Sequence, residues 1–130
     1  MMNLLLDTHV AIWALTEKAR LAPKILDLLA DPDNSVHVSA ATIWETSIKF
    51  PLKKKSGPPF SGQDAIRYFR QANYVLLNIT VEHAAMLDNI PLLHADPFDR
   101  LLVAQALSEP MRLVSRDPQV VAYSDSIITW

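Results

Sequence analysis

Four carboxylates stand where an α/β protein could use them. Asp7 ends the apolar run Asn3-Leu4-Leu5-Leu6, and Asp117 follows Leu113-Val114-Ser115 by two positions. Ligands of parallel sheets gather beyond the carboxyl ends of the strands, so both acids share one edge if these runs are neighbouring strands. Helix capping accounts equally well for Asp117 before Pro118. Asp99 lies third after Asp96-Pro97, where a carboxylate suits a helix N-terminus. It also heads the stripe Leu102, Val103 and Ala106, which aims it at the sheet, and a carboxylate on a buried face needs a partner. Glu45 sits at the edge of a face built by Ala40, Ile43, Trp44 and Ile48. With Lys49 four residues on, spacing alone reads it as an exposed pair worth about 0.3–0.5 kcal/mol.

Convergence of three or four such groups has a cost. Two like charges 4 Å apart repel by about 4 kcal/mol at an effective dielectric of about 20. A divalent cation removes the conflict, and all-oxygen ligands suit Mg²⁺ or Mn²⁺. The chemistry would be metal-assisted phosphoryl transfer or hydrolysis. Other chemistries lack their residues. Asp7-Thr8-His9 has no second Asp two positions on, as a haloacid-dehalogenase phosphatase needs, and no Lys follows Lys55, as a receiver domain needs. His9, His37, His83 and His94 show no HxxxH spacing, so surface or capping roles are their default. There is no GxSxG elbow. The only glycines, Gly57 and Gly62, exclude nucleotide-binding glycine motifs.

The elements that would hold these acids alternate as short apolar runs and longer amphipathic ones, the pattern of βα units. Strands are expected near Asn3–Leu6, Val36–Val38, Val75–Ile79, Arg112–Val114 and Ile127–Thr129. Helices begin after Ser39, Thr80 and Asp96, each a capping residue, and Pro97 reinforces the last. The expectation is a three-layer α/β fold.

The chain has 130 residues, half of them hydrophobic and a fifth charged, which fits one folded domain over 1–130. Its net charge of -2 predicts no nucleic-acid or membrane partner overall, so such binding would need local patches. No cysteine is present, which is compatible with the cytoplasm, and the apolar start Leu4–Leu6 is too short for a signal or a membrane span.

In order, LLLDTHVAIWAL, SAATIWETSIK, HADPFDRLLVAQA and LVSRD resemble the PIN-domain family, specifically VapC-type toxins of toxin–antitoxin pairs. The resemblance implies a metal-dependent endoribonuclease with a central parallel five-stranded sheet in the order 3-2-1-4-5. By it, Asp7, Glu45 and Asp99 match the family's three acids and Asp117 the more variable fourth, which overturns the surface reading of Glu45. Asp7 and Asp99 would be the firmest ligands of Mg²⁺ or Mn²⁺. Thr8 and Ser115 match hydroxyl residues beside the acids and would support them by hydrogen bonds. Asp96 is read as the cap, and His94 is left unassigned.

An acidic site repels RNA, so cations elsewhere must hold the backbone. Lys49, Lys53, Lys54, Lys55, Arg67 and Arg70 fall in a stretch whose only acid is Asp64. They read either as a solvated face or as an RNA-binding rim led by Lys49 and Lys53 to Lys55. The resemblance also implies a homodimer and a cognate antitoxin, with no membrane role. Trp13, Trp44 and Phe60 could contact the antitoxin, although helical periodicity favours Trp13 and Trp44 as core residues. The alternatives are a PIN-like domain that binds RNA or protein without cutting, and a DNA-directed flap nuclease, whose extra helical segments this chain lacks.

Overall fold

A computed structural model describes residues 1–130. Four parallel strands, β1 (Asn3–Leu6), β2 (Ser35–Ser39), β3 (Val75–Leu77) and β4 (Arg112–Val114), form one sheet in the order β3-β2-β1-β4. β1 is paired on both sides, with Leu6 opposite Val38 of β2 and Val114 of β4. A strand flanked on both edges and covered on both faces must be apolar throughout. Leu4, Leu5 and Leu6 are accordingly inaccessible to solvent, each contributing about 2 kcal/mol of burial.

The expected fifth strand is a correction. Instead of a strand over Ile127–Thr129, a single parallel bridge joins Ile128 to Val114. It rests on Ile128 N–H to Leu113 O (2.8 Å) and Ser115 N–H to Ile128 O (3.0 Å). β4 offers only three residues and ends where the Ser115 side chain is engaged by Asp7, so there is no ladder left for more than one pair.

The helices are α1 (Thr8–Thr16), α2 (Pro23–Ala30), α3 (Ala40–Lys49), α4 (Gly62–Gln71), α5 (Val81–Ala85), α6 (Pro97–Ser108) and α7 (Pro118–Val121). Successive strand residues face opposite sides, and two apolar clusters result. Leu4, Leu6 and Val114 pack with Val10, Ala14, Ile25, Ala65 and Phe69 of α1, α2 and α4. Leu5 and Leu113 pack with Leu101, Leu102, Ala106 and Val120 of α6 and α7. The sheet thus sits between two helical layers.

The expected caps form. Ser39 Oγ accepts from Ala41 N–H (2.9 Å), Thr80 Oγ1 from His83 N–H (3.2 Å), and Asp96 Oδ1 from Phe98 and Asp99 N–H (2.8 and 3.0 Å). One buried side chain ties these starts together. Gln105 of α6 takes a hydrogen bond from Ser39 Oγ (2.5 Å) and gives one to Asn78 O (3.4 Å). It fixes α6 against the ends of β2 and β3, and so sets where α6 and α3 begin relative to each other. α4 closes on α3 at Gly62, where a Cβ would fall 1.9 Å from Ser47 Oγ and 3.2 Å from Ile43 O. No helix is long and apolar enough to cross a membrane.

Candidate active site

The carboxyl end of β1 delivers Asp7 into the interior, where it is 4% exposed. Its amide donates to Val114 O (3.0 Å), its Oδ1 caps α1 by accepting from Val10 N–H (2.9 Å), and its Oδ2 accepts from the Ser115 hydroxyl. Burial pushes its pKa up from 3.8 to about 6. The bonds from Ser115 and Val10 and the nearby His9 pull the other way, and the charge of Asp99 adds to the rise. Asp7 and Asp99 are therefore electrostatic neighbours, as the strand-end geometry requires.

Glu45 lies five residues into α3. Helical side chains lean toward the N-terminus, which carries its carboxylate back toward the end of β2. It is 4% exposed, not a surface residue as its spacing to Lys49 suggests. Lys49 does pair with it, Nζ to Oε2 at 2.5 Å, but Oε1 is buried without a partner. Burial works to lower the Lys49 pKa, while the bond to Glu45 and the charges of Glu45, Asp96 and Asp99 outweigh it and raise the value.

Asp99, in the first turn of α6, feels the charge of several other acids. Burial raises its pKa, the hydrogen bond from His94 opposes this, and the charges of Asp96 and Glu45 raise it further. His94 Nε2 stands 2.9 Å from Asp99 Oδ2. One ligand atom from each of His94, Asp99 and Asp117 lies within 4.8 Å of the others. The Tyr123 hydroxyl holds this loop, accepting from Leu93 and His94 N–H (3.2 and 3.0 Å). Asp117 also caps α7 through Gln119 N–H (2.9 Å), as its capping reading expects.

The hydroxyls divide differently from expectation. Ser115 Oγ bonds Asp7 and accepts from Asp117 N–H (3.1 Å), linking two acids directly. The Thr8 hydroxyl pairs instead with Thr42 Oγ1 (3.0 Å), bracing α1 on α3. His94 is the residue that sequence reasoning missed. Spacing between histidines carries no signal for it, because its partner is an acid five positions later. Asp96 spends its carboxylate on the α6 cap, as expected.

The donor set fits a hard divalent cation. Ligand atoms of His94, Asp99 and Asp117 group together, the charge of Asp99 acts on Asp7 and that of Glu45 on Asp99, one buried oxygen of Glu45 lacks a partner, and burial, helped by these charges, raises the pKa of Asp7 and Asp99. His94 Nε2 is engaged by Asp99 Oδ2, so His94 orients that carboxylate.

A cleft of about 730 Å³ opens beside the acids, lined by Glu45 and by Thr8, the residue after Asp7. Lys49, Lys54 and Lys55 line it. Lys53 does not. Its backbone is left-handed (φ 54°) and its ammonium lies over the Phe50 ring, 5.1 Å from the centroid. Of the aromatic residues, Phe60 is buried and Trp13 half-buried. Trp44 is 51% exposed, against the core reading from periodicity, and meets the Phe98 ring edge-on at 4.8 Å.

The sequence model of the PIN domain matches residues 4–125. The chain belongs to the PIN-domain family. Its structure is similar to that of VapBC2 from Rickettsia felis bound to a promoter DNA fragment, at TM-score 0.71 and 17% identity, covering 99% of this chain and 98% of that one. DNA-bound VapBC from Salmonella typhimurium gives TM-score 0.64 and 17% identity, covering 100% and 98%. FitAcB from Neisseria gonorrhoeae gives 0.57 and 20%, covering 98% and 96%. At these identities the likeness is one of fold. No curated protein matches the sequence.

Proposed function

We propose that this chain is a cytoplasmic, metal-dependent endoribonuclease of a single PIN domain, the toxin of a toxin–antitoxin pair. The observation that carries the reading is Asp99 held among Asp7, Glu45, His94 and Asp117, with a buried Glu45 oxygen left unpartnered. Asp7 and Asp99 would hold Mg²⁺ or Mn²⁺, and Glu45 and Asp117 would complete the pocket partly through water. Such an ion supplies Lewis-acid activation of water and charge neutralisation at the scissile phosphodiester. The chain's own part is placement. Ser115 and Val10 hold Asp7 in one orientation, His94 does the same for Asp99, and Lys49 pairs with one oxygen of Glu45. By family resemblance the products carry 5′-phosphate and 3′-hydroxyl ends.

The partners are RNA as substrate, a cognate antitoxin and a second copy of the chain. Support for protein partners comes from Trp44, Ile48 and Leu52, exposed by 51%, 48% and 56% along α3 and the turn after it. The test is cleavage of a mixed RNA pool by purified protein. Cutting is expected with Mg²⁺ or Mn²⁺, and none in EDTA or with Asp7→Asn or Asp99→Asn. RNA left intact under every divalent condition overturns the nuclease and leaves a binding domain.

A further inference from the structure

Resting on the ribonuclease reading, we propose that the cleft beside the acids is a subsite for single-stranded RNA. There, the base of a nucleotide next to the cut joins the ring of Trp13, and flanking phosphates meet Lys54 and Lys55. The cleft shares Glu45 with the acidic group and is also lined by Thr8, the residue after Asp7, so a strand whose phosphate lies at the acids has this channel as its continuation. Acids cannot hold the flanking phosphates, and the cleft wall supplies what they lack.

Its cations differ in availability. Lys49 is committed to Glu45 and Arg20 to Glu17, each at 2.5 Å, whereas Lys54 and Lys55 belong to no ion pair. A tight turn presents them, closed by Gly57 N–H to Lys54 O (3.0 Å) and followed by the stiff Pro58-Pro59 wall. On the α1 side, the Trp13 ring meets His9 at 5.8 Å and the Arg20 guanidinium at 5.2 Å. Aromatic rings interleaved with cations in a groove are what sequence-tolerant binding of single strands uses, and a duplex keeps its bases stacked away from such a platform.

The lining also disfavours a helical protein segment. Apart from the two prolines, its apolar side chains are Ile12, Trp13 and Leu52, too few for the anchors that a helix lays in a groove.

The test is the affinity of a fluorescein-labelled uridine hexamer, measured by anisotropy in EDTA so that nothing is cut. Trp13→Ala is expected to weaken binding about tenfold, the size of one lost base stack. Trp13→Phe should restore much of it. The exposed double change Lys54→Glu/Lys55→Glu should weaken binding more and flatten its salt dependence. It serves as the second probe if Trp13→Ala fails to fold. Mn²⁺ affinity should be unchanged in all three variants.

Hexamer affinity that ignores both sets of changes, or no binding by the natural protein, overturns the subsite and leaves the cleft to a protein partner. If the natural protein still cuts RNA in that case, the nuclease reading survives alone. If it cuts nothing while hexamer affinity follows Trp13, the subsite survives and the nuclease falls.

Discussion

The Ser115 hydroxyl donates to Asp7 Oδ2 across 108 positions of sequence, and its oxygen also takes the Asp117 amide. It joins the ends of β1 and β4 and opposes the burial that raises the Asp7 pKa.

Ser115→Ala is therefore expected to lift that pKa above about 6. Less of Asp7 would be ionised at neutral pH, and a metal ligand must be ionised. Mn²⁺ affinity should drop about fivefold or more at pH 7 and by less at pH 8.5. Calorimetric titration at the two pH values checks this; Ser115→Thr should behave as the natural protein. An equal loss at both pH values would show that Ser115 acts by packing alone.

Asp7→Asn should stabilise the metal-free fold while removing the proposed activity. The folded pKa of about 6 exceeds the unfolded 3.8, so the native state binds more protons between them and stability falls as pH rises through that window. The whole shift corresponds to about 3 kcal/mol. The gain from Asn should be absent below about pH 4, grow up to about pH 6 and stay level above it, with about 2 kcal/mol expected at pH 7.5. Urea melts in EDTA across this range measure it. A variant less stable than the natural protein at pH 7.5 would contradict the assigned burial cost.

Legibility from sequence followed how local each cause was. The N-caps at Ser39, Thr80 and Asp96 depend on neighbouring residues and were readable. β1 was equally plain, because a strand covered on both faces has to be apolar along its length. Spacing misreads Glu45 because its pairing with Lys49 is real, while its 4% exposure comes from tertiary packing that spacing does not carry. Trp44 misleads in the opposite sense: it continues the apolar periodicity of α3 onto a face that Phe98 meets edge-on but leaves half exposed. The segment Ile127–Thr129 has strand composition, but pairing is decided by the three residues that β4 offers it. His94 depends on a loop pinned by Tyr123, which no local pattern announces.

Lys49→Ala should remove the only cation bonded to Glu45 and leave both carboxylate oxygens of that 4% exposed residue without partners. Because the Lys49 side chain is 45% exposed, solvent screens part of the pair, and a loss of about 1–2 kcal/mol is expected rather than the larger cost of a fully buried break. Millimolar Mn²⁺ should recover most of it by taking over the counter-charge. Thermal melts with and without Mn²⁺ decide; a loss that the ion does not touch would separate Glu45 from the metal site.

Gln105→Leu keeps the volume but leaves the Ser39 hydroxyl proton and the Asn78 carbonyl without their Gln105 partners. The expected cost is about 1–3 kcal/mol, read from urea denaturation. Since Gln105 sets α6 against the start of α3, Mn²⁺ affinity should also fall in the folded fraction. Unchanged affinity would confine Gln105 to stability.

The short outer strands have a last effect. β3 carries three residues, and beyond β4 the chain's own Ile128 already occupies the next place. Sheet flanks this brief or already filled are poor templates for runaway strand addition between molecules. Crowded copies therefore find little exposed strand edge on which to zip together, and contacts between them fall to side chains instead of backbone.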